Sequence, residues 1–197
     1  YAREVAGGVD VMAVVKADAY GHGFEETIKV LDSEVSAFGV ATLNEALAVS
    51  SVTQKTTDIM ILGALLPDER EDAVSAGLHV TISSLLEARE YNETGQRIGS
   101  RVRSHLVLDT GMGRLGFTEK KFISECPQIS SLSNIETEGI ATHFPCSDVD
   151  LEFTKNQIEK FESIIKETKL KPRWIHLANS AGIINFGNAG GNMIRPG

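Results

Sequence analysis

The sequence is poor in cysteine, in basic residues and in long apolar runs, and each shortage excludes a class of protein. Its two cysteines, Cys126 and Cys146, show neither CxxC spacing nor the density of a disulfide-stapled domain, which favours a reduced, cytosolic setting. No apolar stretch reaches 18 residues, so no membrane span is predicted. With 19 basic against 27 acidic residues and a net charge of -8, the chain is not expected to bind nucleic acid.

The chain does contain enough apolar material for a full core. Of its 197 residues 42% are hydrophobic, and no repeat, low-complexity segment or linker divides them, so we predict a single domain over residues 1–197. The chain begins at Tyr1 without a basic leader or an apolar signal core, and it ends abruptly on Arg195-Pro196-Gly197. We therefore expect it to be an internal piece of a longer protein.

Short β-rich runs alternate with helical patterns along the whole chain. Most of these runs are continuous stretches of Val, Ile and Leu, as expected for parallel strands covered on both faces. We predict eight strands, at Val11–Val15, Ala37–Ala41, Asp58–Leu62, His79–Ile82, His105–Asp109, Ile135–Thr142, Arg173–Leu177 and Asn192–Arg195.

Amphipathic helices are predicted between the strands. The clearest is Leu151–Leu170, where Phe153 and Phe161 share one apolar face with three isoleucines. Gly77 and Gly95 lie where two of the helices are expected to stop. The shorter helices are predicted at Phe24–Asp32, Leu43–Ser50, Pro67–Ala76, Ser84–Asn92 and Glu119–Ser124.

Eight strands joined by seven mostly helical connections predict an α/β fold of the (β/α)₈ TIM-barrel type, incomplete at both termini. An open doubly wound sheet is the alternative. In a TIM barrel the chemistry lies at the carboxyl ends of the strands. The polar residues that follow predicted strands are Lys16, Tyr20, Asp109, Arg114, His143, His176, Asn179 and Arg195. One lysine, two arginines and two histidines would converge at one mouth, which predicts an anion pocket.

Lys16 organises this prediction, because a lysine brought to a barrel mouth by a buried strand could hold an aldehyde cofactor as a Schiff base. Taken alone, a lysine that leaves a strand is usually just solvated. The following Tyr20-Gly21-His22-Gly23 allows close approach of a ligand and supplies a hydroxyl donor. The segment His176-Leu177-Ala178-Asn179-Ser180 passes from a strand into a helix whose start could bind phosphate, or could be an ordinary cap.

Two other interpretations are weaker. The segment Gly111-Met112-Gly113-Arg114-Leu115-Gly116 matches the dinucleotide fingerprint GxGxxG, but it follows the fifth strand and its helix starts late, so we expect a turn that presents Arg114. The side chains of His143, Cys146, Asp148 and His176 fit no familiar zinc spacing, and no metal site is predicted.

The motifs AVVKADAYGHG, FGVATLNEAL, LDTGMGRLGF, ATHF, HLANSAG and RPG together resemble the N-terminal domain of alanine racemases, which are pyridoxal phosphate (PLP) enzymes. The resemblance runs over nearly the whole chain. It implies PLP as cofactor and catalytic roles for Lys16, Arg114, His143 and Arg195. It further implies that the residues contacting the cofactor are Lys16, Tyr20, Leu62, Arg114, His143, His176, Asn179, Ser180, Arg195 and Gly197.

Within these roles, the resemblance makes Lys16 the Schiff-base lysine and one of two bases, and it places Arg195 against the pyridine nitrogen. Tyr20, Ser180 and Gly197 would contact the phosphate. Two features depart from the family pattern. Val107 stands where many members carry a carbamylated lysine that orients the arginine equivalent to Arg114. The C-terminal β-domain, which in the family supplies the second base, a tyrosine, lies outside the chain.

The resemblance implies racemisation of L- and D-alanine by a cytoplasmic homodimer that supplies D-alanine for peptidoglycan. The expected partner is thus a small-molecule substrate, and the segment alone is expected to be inactive. Three alternatives stay open: a serine or broad-specificity racemase, a related decarboxylase, and a non-catalytic PLP-binding barrel protein.

Overall fold

The computed structural model describes residues 1–54 and 57–197, and its backbone forms eight parallel strands. All eight predicted strands are present, and the predicted bounds lie within three residues of the observed ones. Most of their residues are buried on both faces, which explains why the sequence pattern was continuous instead of alternating. The strands are β1 (Asp10–Val14), β2 (Ala37–Val40), β3 (Asp58–Ile61), β4 (Val80–Ile82), β5 (Val102–Val107), β6 (Ile135–Ala141), β7 (Trp174–Asn179) and β8 (Met193–Arg195).

The strands close into a barrel. They follow the order β3-β2-β1-β8-β7-β6-β5-β4, and β1 pairs in parallel with both β2 and β8. The two outer strands are joined by a parallel bridge between Met60 and His79, where the N–H of Ile61 donates to the carbonyl of His79 at 2.9 Å. This confirms the TIM-type prediction, and the alternative of an open doubly wound sheet is wrong.

Helices connect the strands around the outside of the barrel. One of them, α2, is a short turn with left-handed dihedral angles. A 3₁₀ turn at Pro67–Glu69 leads into α5. Among the described residues, no helix combines the length and the apolar character that crossing a bilayer requires. The helices are α1 (Ala2–Val5), α2 (Lys16–Gly21), α3 (Phe24–Leu31), α4 (Leu43–Val52), α5 (Arg70–Ser75), α6 (Leu85–Ile98), α7 (Glu119–Ser130), α8 (Leu151–Thr168) and α9 (Ser180–Phe186).

The predicted ends of two helices are wrong. Helix α6 continues through Gly95 and stops only at Gly99, which adopts the left-handed conformation with φ of 69°. Gly95 serves packing instead, because a Cβ there would lie 2.7 Å from the carbonyl oxygen of Ser100. Helix α7 continues past the predicted stop at Ser124 and contains Pro127 in its interior.

Helix α8 packs on the barrel through one face, but that face differs slightly from the predicted one. Its buried residues are Thr154, Gln157, Phe161 and Ile164. Phe153, which was predicted on the apolar face, is 37% exposed at the start of the helix. The Phe153 ring lies so close to Gly111, in the loop after β5, that a Cβ on Gly111 would be 2.7 Å from it. Phe153 therefore covers this loop instead of the core.

Candidate active site

A cavity opens at the carboxyl ends of the strands, on the side where the prediction placed the chemistry. It brings together all ten residues predicted to contact a cofactor: Lys16, Tyr20, Leu62, Arg114, His143, His176, Asn179, Ser180, Arg195 and Gly197. Apart from Val107, the remaining lining residues were not predicted as site residues, although several lie inside the quoted motifs. The remaining lining residues are Val14, Met60, Thr81, Val107, Leu108, Met112, Leu115, Ala141 and Thr142.

Lys16 begins the turn α2, directly after the end of β1. The next four residues, 17–20, have φ between 51° and 57°, in the left-handed region that L-residues avoid. Each such residue costs roughly 1–2 kcal/mol, so surrounding contacts must hold the turn. Two of these contacts are local: the N–H of Ala19 donates to the carbonyl of Val15 at 2.9 Å, and the N–H of Phe24 donates to the Asp18 carboxylate at 2.8 Å.

A third contact that holds the turn comes from Glu45 on α4. One carboxylate oxygen of Glu45 accepts the N–H of Ala17 at 2.8 Å, and the other accepts the N–H of Ala41 at 2.7 Å. Glu45 also completes a capping box with Thr42, the N-cap of α4. The pattern Thr-x-x-Glu is visible in the sequence and could have identified Glu45 as a cap. Its contact with Ala17, 28 residues earlier in the sequence, could not have been found that way.

Tyr20, Ser180 and Gly197 lie together at one side of the cavity. The Ser180 hydroxyl donates to the carbonyl of Gly197 at 2.9 Å and accepts its N–H at 3.1 Å. A Cβ on Gly197 would come within 3.0 Å of Val14 and 3.1 Å of the Tyr20 hydroxyl, so a side chain there would be tight. Burial raises the pKa of Tyr20, which keeps its hydroxyl protonated and able to donate at neutral pH.

Arg195 is held by four hydrogen bonds of 3.0 Å or less from its two terminal nitrogens, and by a longer contact of Nη2 with His143. Nη1 donates to Nδ1 and to the carbonyl of His176 at 2.8 and 2.7 Å, and Nη2 donates to the carbonyls of Thr142 and Leu177 at 2.8 and 3.0 Å. A guanidinium has five N–H groups, so Nε–H is left without a partner among the described residues. Burial lowers the pKa of Arg195 to about 10, and the group stays cationic at neutral pH.

The two histidines beside Arg195 are neutral. Burial lowers the pKa of His143 to about 4, and the nearby positive charges, of which Arg195 is the strongest, act in the same direction. Nδ1 of His143 lies 3.4 Å from Nη2 of Arg195. Burial, then the charge of Arg195, also lowers the pKa of His176 far below its usual range. Both rings can therefore accept a hydrogen bond from the guanidinium.

Arg114 reaches the cavity from the β5 loop. The Asp109 carboxylate accepts the N–H groups of Gly111 and Gly113, at 2.9 Å each to its nearer oxygens. These amides are thus not free to hold a diphosphate, and α7 starts only at Glu119, so the dinucleotide interpretation is not supported. Arg114 forms no hydrogen bond or ion pair with any described residue, and the apolar Val107 lines the cavity near it.

Asn179 lines the cavity, but its amide is occupied by protein contacts. Its oxygen accepts the N–H of Gly182 at 2.9 Å, as N-cap of α9, and the Ser147 hydroxyl at 2.8 Å. Its nitrogen donates to the carbonyl of Phe144 at 3.0 Å.

Within residues 1–54 and 57–197, no group of three or more His, Cys, Asp and Glu side chains is placed to hold a metal ion.

Comparisons with known proteins agree on one family. A model of the alanine racemase N-terminal domain matches residues 1–197. An alanine racemase of Carboxydothermus hydrogenoformans is 36% identical over 200 residues, which cover 99% of this chain and 54% of that protein. One of Fusobacterium nucleatum is 39% identical over 204 residues, with 99% and 54% covered. The chain thus spans about half the length of the curated relatives it matches.

Solved structures lead to the same family. The alanine racemase of Clostridium difficile 630 superimposes with a TM-score of 0.92 at 30% sequence identity, over 100% of this chain and 53% of that one. The same enzyme in complex with cycloserine gives a TM-score of 0.93 at the same identity, with 100% and 56% covered. Both likenesses cover the barrel described above.

Proposed function

The chain belongs to the alanine racemase family and matches the N-terminal domain of that family, and from this we propose that the whole protein is a PLP-dependent alanine racemase. In this proposal residues 1–197 form one domain that binds the cofactor and supplies one of two catalytic bases. The observation that carries the proposal is the convergence of all ten predicted site residues on one cavity, with Lys16 and Arg195 both in its wall.

The cavity fits the cofactor. Gly197 lies close to Val14 and the Tyr20 hydroxyl, where a Cβ would be tight, and the Tyr20 hydroxyl has no hydrogen-bond partner among the described residues. The Ser180 hydroxyl and the Gly197 N–H are bonded to each other and would exchange that bond for one to a phosphate. At the other side the unpartnered Nε–H of Arg195 needs an acceptor, which a pyridine nitrogen supplies. Arg114, which has no protein partner, is free to donate to a phenolic oxygen.

We assign the cofactor contacts accordingly. Tyr20, Ser180 and Gly197 would hold the phosphate, and Arg195 the ring nitrogen. Leu62 would cover the ring, and His143 and His176 would support Arg195 from the side and from below. Lys16 would form the covalent bond to the aldehyde carbon. Asn179 would act mainly through the start of α9, because its amide is already used.

When bound, PLP supplies an electron-withdrawing ring that stabilises negative charge at the α-carbon of the amino acid. Arg195 keeps its proton at neutral pH, so it can offer a hydrogen bond to a ring nitrogen but no proton. Lys16 can take or return the α-proton on one face of the substrate. Inversion also requires a group on the opposite face, which we assign to a tyrosine of the C-terminal domain implied by the family resemblance.

We further propose that the full-length protein is a cytoplasmic homodimer that supplies D-alanine for peptidoglycan. The family resemblance supports the dimer and the product, and the two cysteines without disulfide spacing support a reducing compartment. The names of the relatives favour alanine over the serine and broad-specificity alternatives.

The test uses the full-length protein with PLP and L-alanine in deuterated water. We expect D-alanine that carries deuterium at the α-carbon. A protein that demonstrably binds PLP but causes neither exchange nor inversion would overturn the proposal and favour a non-catalytic barrel. The same assay with serine and a panel of other amino acids, monitored also for carbon dioxide release, separates the remaining alternatives.

A further inference from the structure

Beneath the cavity, the inside of the barrel holds three histidines in a row. His79, His105 and His176 are each 0% exposed. Nδ1 of His79 lies 2.9 Å from Nε2 of His105, and Nδ1 of His105 lies 2.8 Å from Nε2 of His176. TIM-barrel interiors are usually filled by branched aliphatic side chains. Three imidazoles in this position need a reason, because burying polar rings is costly.

The row continues at both ends into charged groups. At the cavity, Nδ1 of His176 lies 2.8 Å from Nη1 of Arg195. At the opposite end of the barrel, Nε2 of His79 lies 3.3 Å from Oδ1 of Asp58, the first residue of β3. This last contact is the longest and falls short of hydrogen-bond geometry, since the buried Nε2 of His79 has no hydrogen-bond partner among the described residues. The Asp58 carboxylate is nevertheless the acceptor that this nitrogen faces. A chain of contacts therefore runs from the cavity to the barrel floor.

The hydrogen bonds in this chain of contacts all run in one direction. Arg195 can only donate, so Nδ1 of His176 must accept and the proton of this neutral ring must lie on Nε2. Nε2–H of His176 then donates to Nδ1 of His105, which fixes the proton of His105 on Nε2 as well. By the same argument His79 carries its proton on Nε2, and this N–H faces the Asp58 carboxylate. All four donors thus point from the cavity toward the floor.

The backbone is adapted to this arrangement. The pairing of β5 with β6 shifts register between Ser104 and His105. Ser104 pairs with Thr137 and His105 pairs with Gly139, so Glu138 has no partner residue on β5. Gly139 then lies opposite His105, and any Cβ on Gly139 would overlap the His105 ring. A β-bulge and a glycine therefore make room for the middle histidine. The ring of His79 in addition packs against Trp174, with centroids 5.6 Å apart.

The floor keeps Asp58 ionised. Nη1 of Arg103 donates to Oδ1 of Asp58 at 2.7 Å, and Nη1 of Arg173 donates to Oδ2 at 3.1 Å. Burial would raise the pKa of Asp58, but the interactions with His79 and Arg103 outweigh it and hold the pKa well below its usual range. One end of the chain is thus an anion and the other end a cation, with neutral rings between them.

We propose that Asp58 is a positioning residue for Arg195, and that it acts through His79, His105 and His176. Its carboxylate accepts the last N–H of this chain of contacts. Nδ1 of each ring, on the side toward Arg195, therefore stays an acceptor, and the bond from Nη1 to His176 is strengthened. The guanidinium is thereby fixed with Nε–H toward the cavity. The inference rests on the proposed function, in which that N–H faces the ring nitrogen of PLP.

The test compares Asp58→Asn with Glu138→Gln in the full-length protein. Glu138 is a matched control, because its side chain is also 14% exposed and contacts Arg103 and Arg173, but not a histidine. Side-chain ¹H–¹⁵N spectra of the apoprotein report the proton position of each ring. We expect three Nε2–H tautomers in the wild type, and in Asp58→Asn a shift of the His176 signals although His176 does not touch Asp58.

For cofactor binding we expect Asp58→Asn to raise the dissociation constant of PLP by about three- to tenfold, the worth of one hydrogen bond. Glu138→Gln should stay within about twofold of wild type. Unchanged His176 signals in Asp58→Asn, or equal effects of both variants, would overturn the proposal. A wild-type protein that does not bind PLP would instead contradict the proposed function, while the tautomers stay measurable.

A second variant, His79→Phe, cuts the chain next to Asp58 and keeps an aromatic ring against Trp174. It should reproduce both the His176 shift and the weaker PLP binding, and it tests the proposal independently if Asp58→Asn does not fold. When both folded variants are combined, Asp58→Asn should have no further effect on PLP affinity. A full additional loss in the double variant would show that Asp58 acts by another route.

Discussion

The Glu45 carboxylate accepts the backbone N–H of Ala17 at 2.8 Å, and this contact ties the start of α4 to the turn that follows Lys16. The turn is left-handed over four residues, and it persists only because contacts such as this one over-determine it. The residue that positions the lysine is therefore found on another βα unit.

Glu45→Ala in the full-length protein should slow the covalent capture of PLP by Lys16, because the turn loses a charge-assisted hydrogen bond. The free energy of unfolding should fall by about 1–2 kcal/mol, which includes the lost cap of α4. Capture is measured by borohydride reduction and peptide mass over time. Glu87→Ala is the matched control, since Glu87 receives the N–H of Ser83 at the start of α6 at 2.7 Å. It should lower stability alone, and equal capture rates in both variants would contradict the prediction.

Lys16→Arg should abolish the covalent bond to PLP and lower kcat/KM by at least about a thousandfold, because a guanidinium can neither attack an aldehyde at neutral pH nor act as a base. The positive charge is kept, so non-covalent PLP binding should weaken only modestly. Mass spectrometry after borohydride treatment locates any residual adduct. Lys29→Arg, on the exposed face of α3, provides the control. An adduct on a different lysine would reassign the role.

Much of the fold was predictable because buried parallel strands have a composition of their own. All eight strands were found, most of them from continuous Val, Ile and Leu runs, and Ser84 was correctly expected near the start of a helix, where it caps α6. The end of α6 was misjudged because a glycine can serve close packing as well as a stop. At Gly95 the sequence alone does not distinguish the two uses.

The site was predictable as a set of residues and not as a set of contacts. Strand ends meet at one mouth in a barrel, so Lys16, His143 and Arg195 could be grouped without coordinates. The left-handed turn could not be predicted, since Ala17 and Tyr20 disfavour it locally and distant contacts enforce it. The role of His105 was missed too, because a single histidine in an apolar strand gives no sign of its partners.

The neutral state of His143 predicts a loss of stability in mild acid. Its folded pKa is about 4, against about 6.5 for an unperturbed histidine. Between these values the unfolded chain binds more protons than the folded one, so the free energy of unfolding falls as pH drops through this window. We expect a Tm that falls less steeply from pH 6.5 to pH 4.5 in His143→Asn than in the wild type. His22→Asn, which alters an exposed ring, serves as the control. Equal slopes in His143→Asn and wild type would contradict the neutral assignment.

Arg195→Lys should lower both stability and PLP affinity, although the charge is kept. The guanidinium makes four short hydrogen bonds, three of them to backbone carbonyls, and an ammonium with three donors in a different geometry cannot replace them. A buried carbonyl left without a donor costs about 1–3 kcal/mol, so the free energy of unfolding should fall by about 2 kcal/mol or more. Denaturant unfolding and PLP titration measure the two effects.

Arg114→Lys separates the two effects. Arg114 has no partner among the described residues, so this variant should weaken PLP binding and leave stability close to wild type. Wild-type stability in Arg195→Lys would show that the four contacts do not fix the guanidinium.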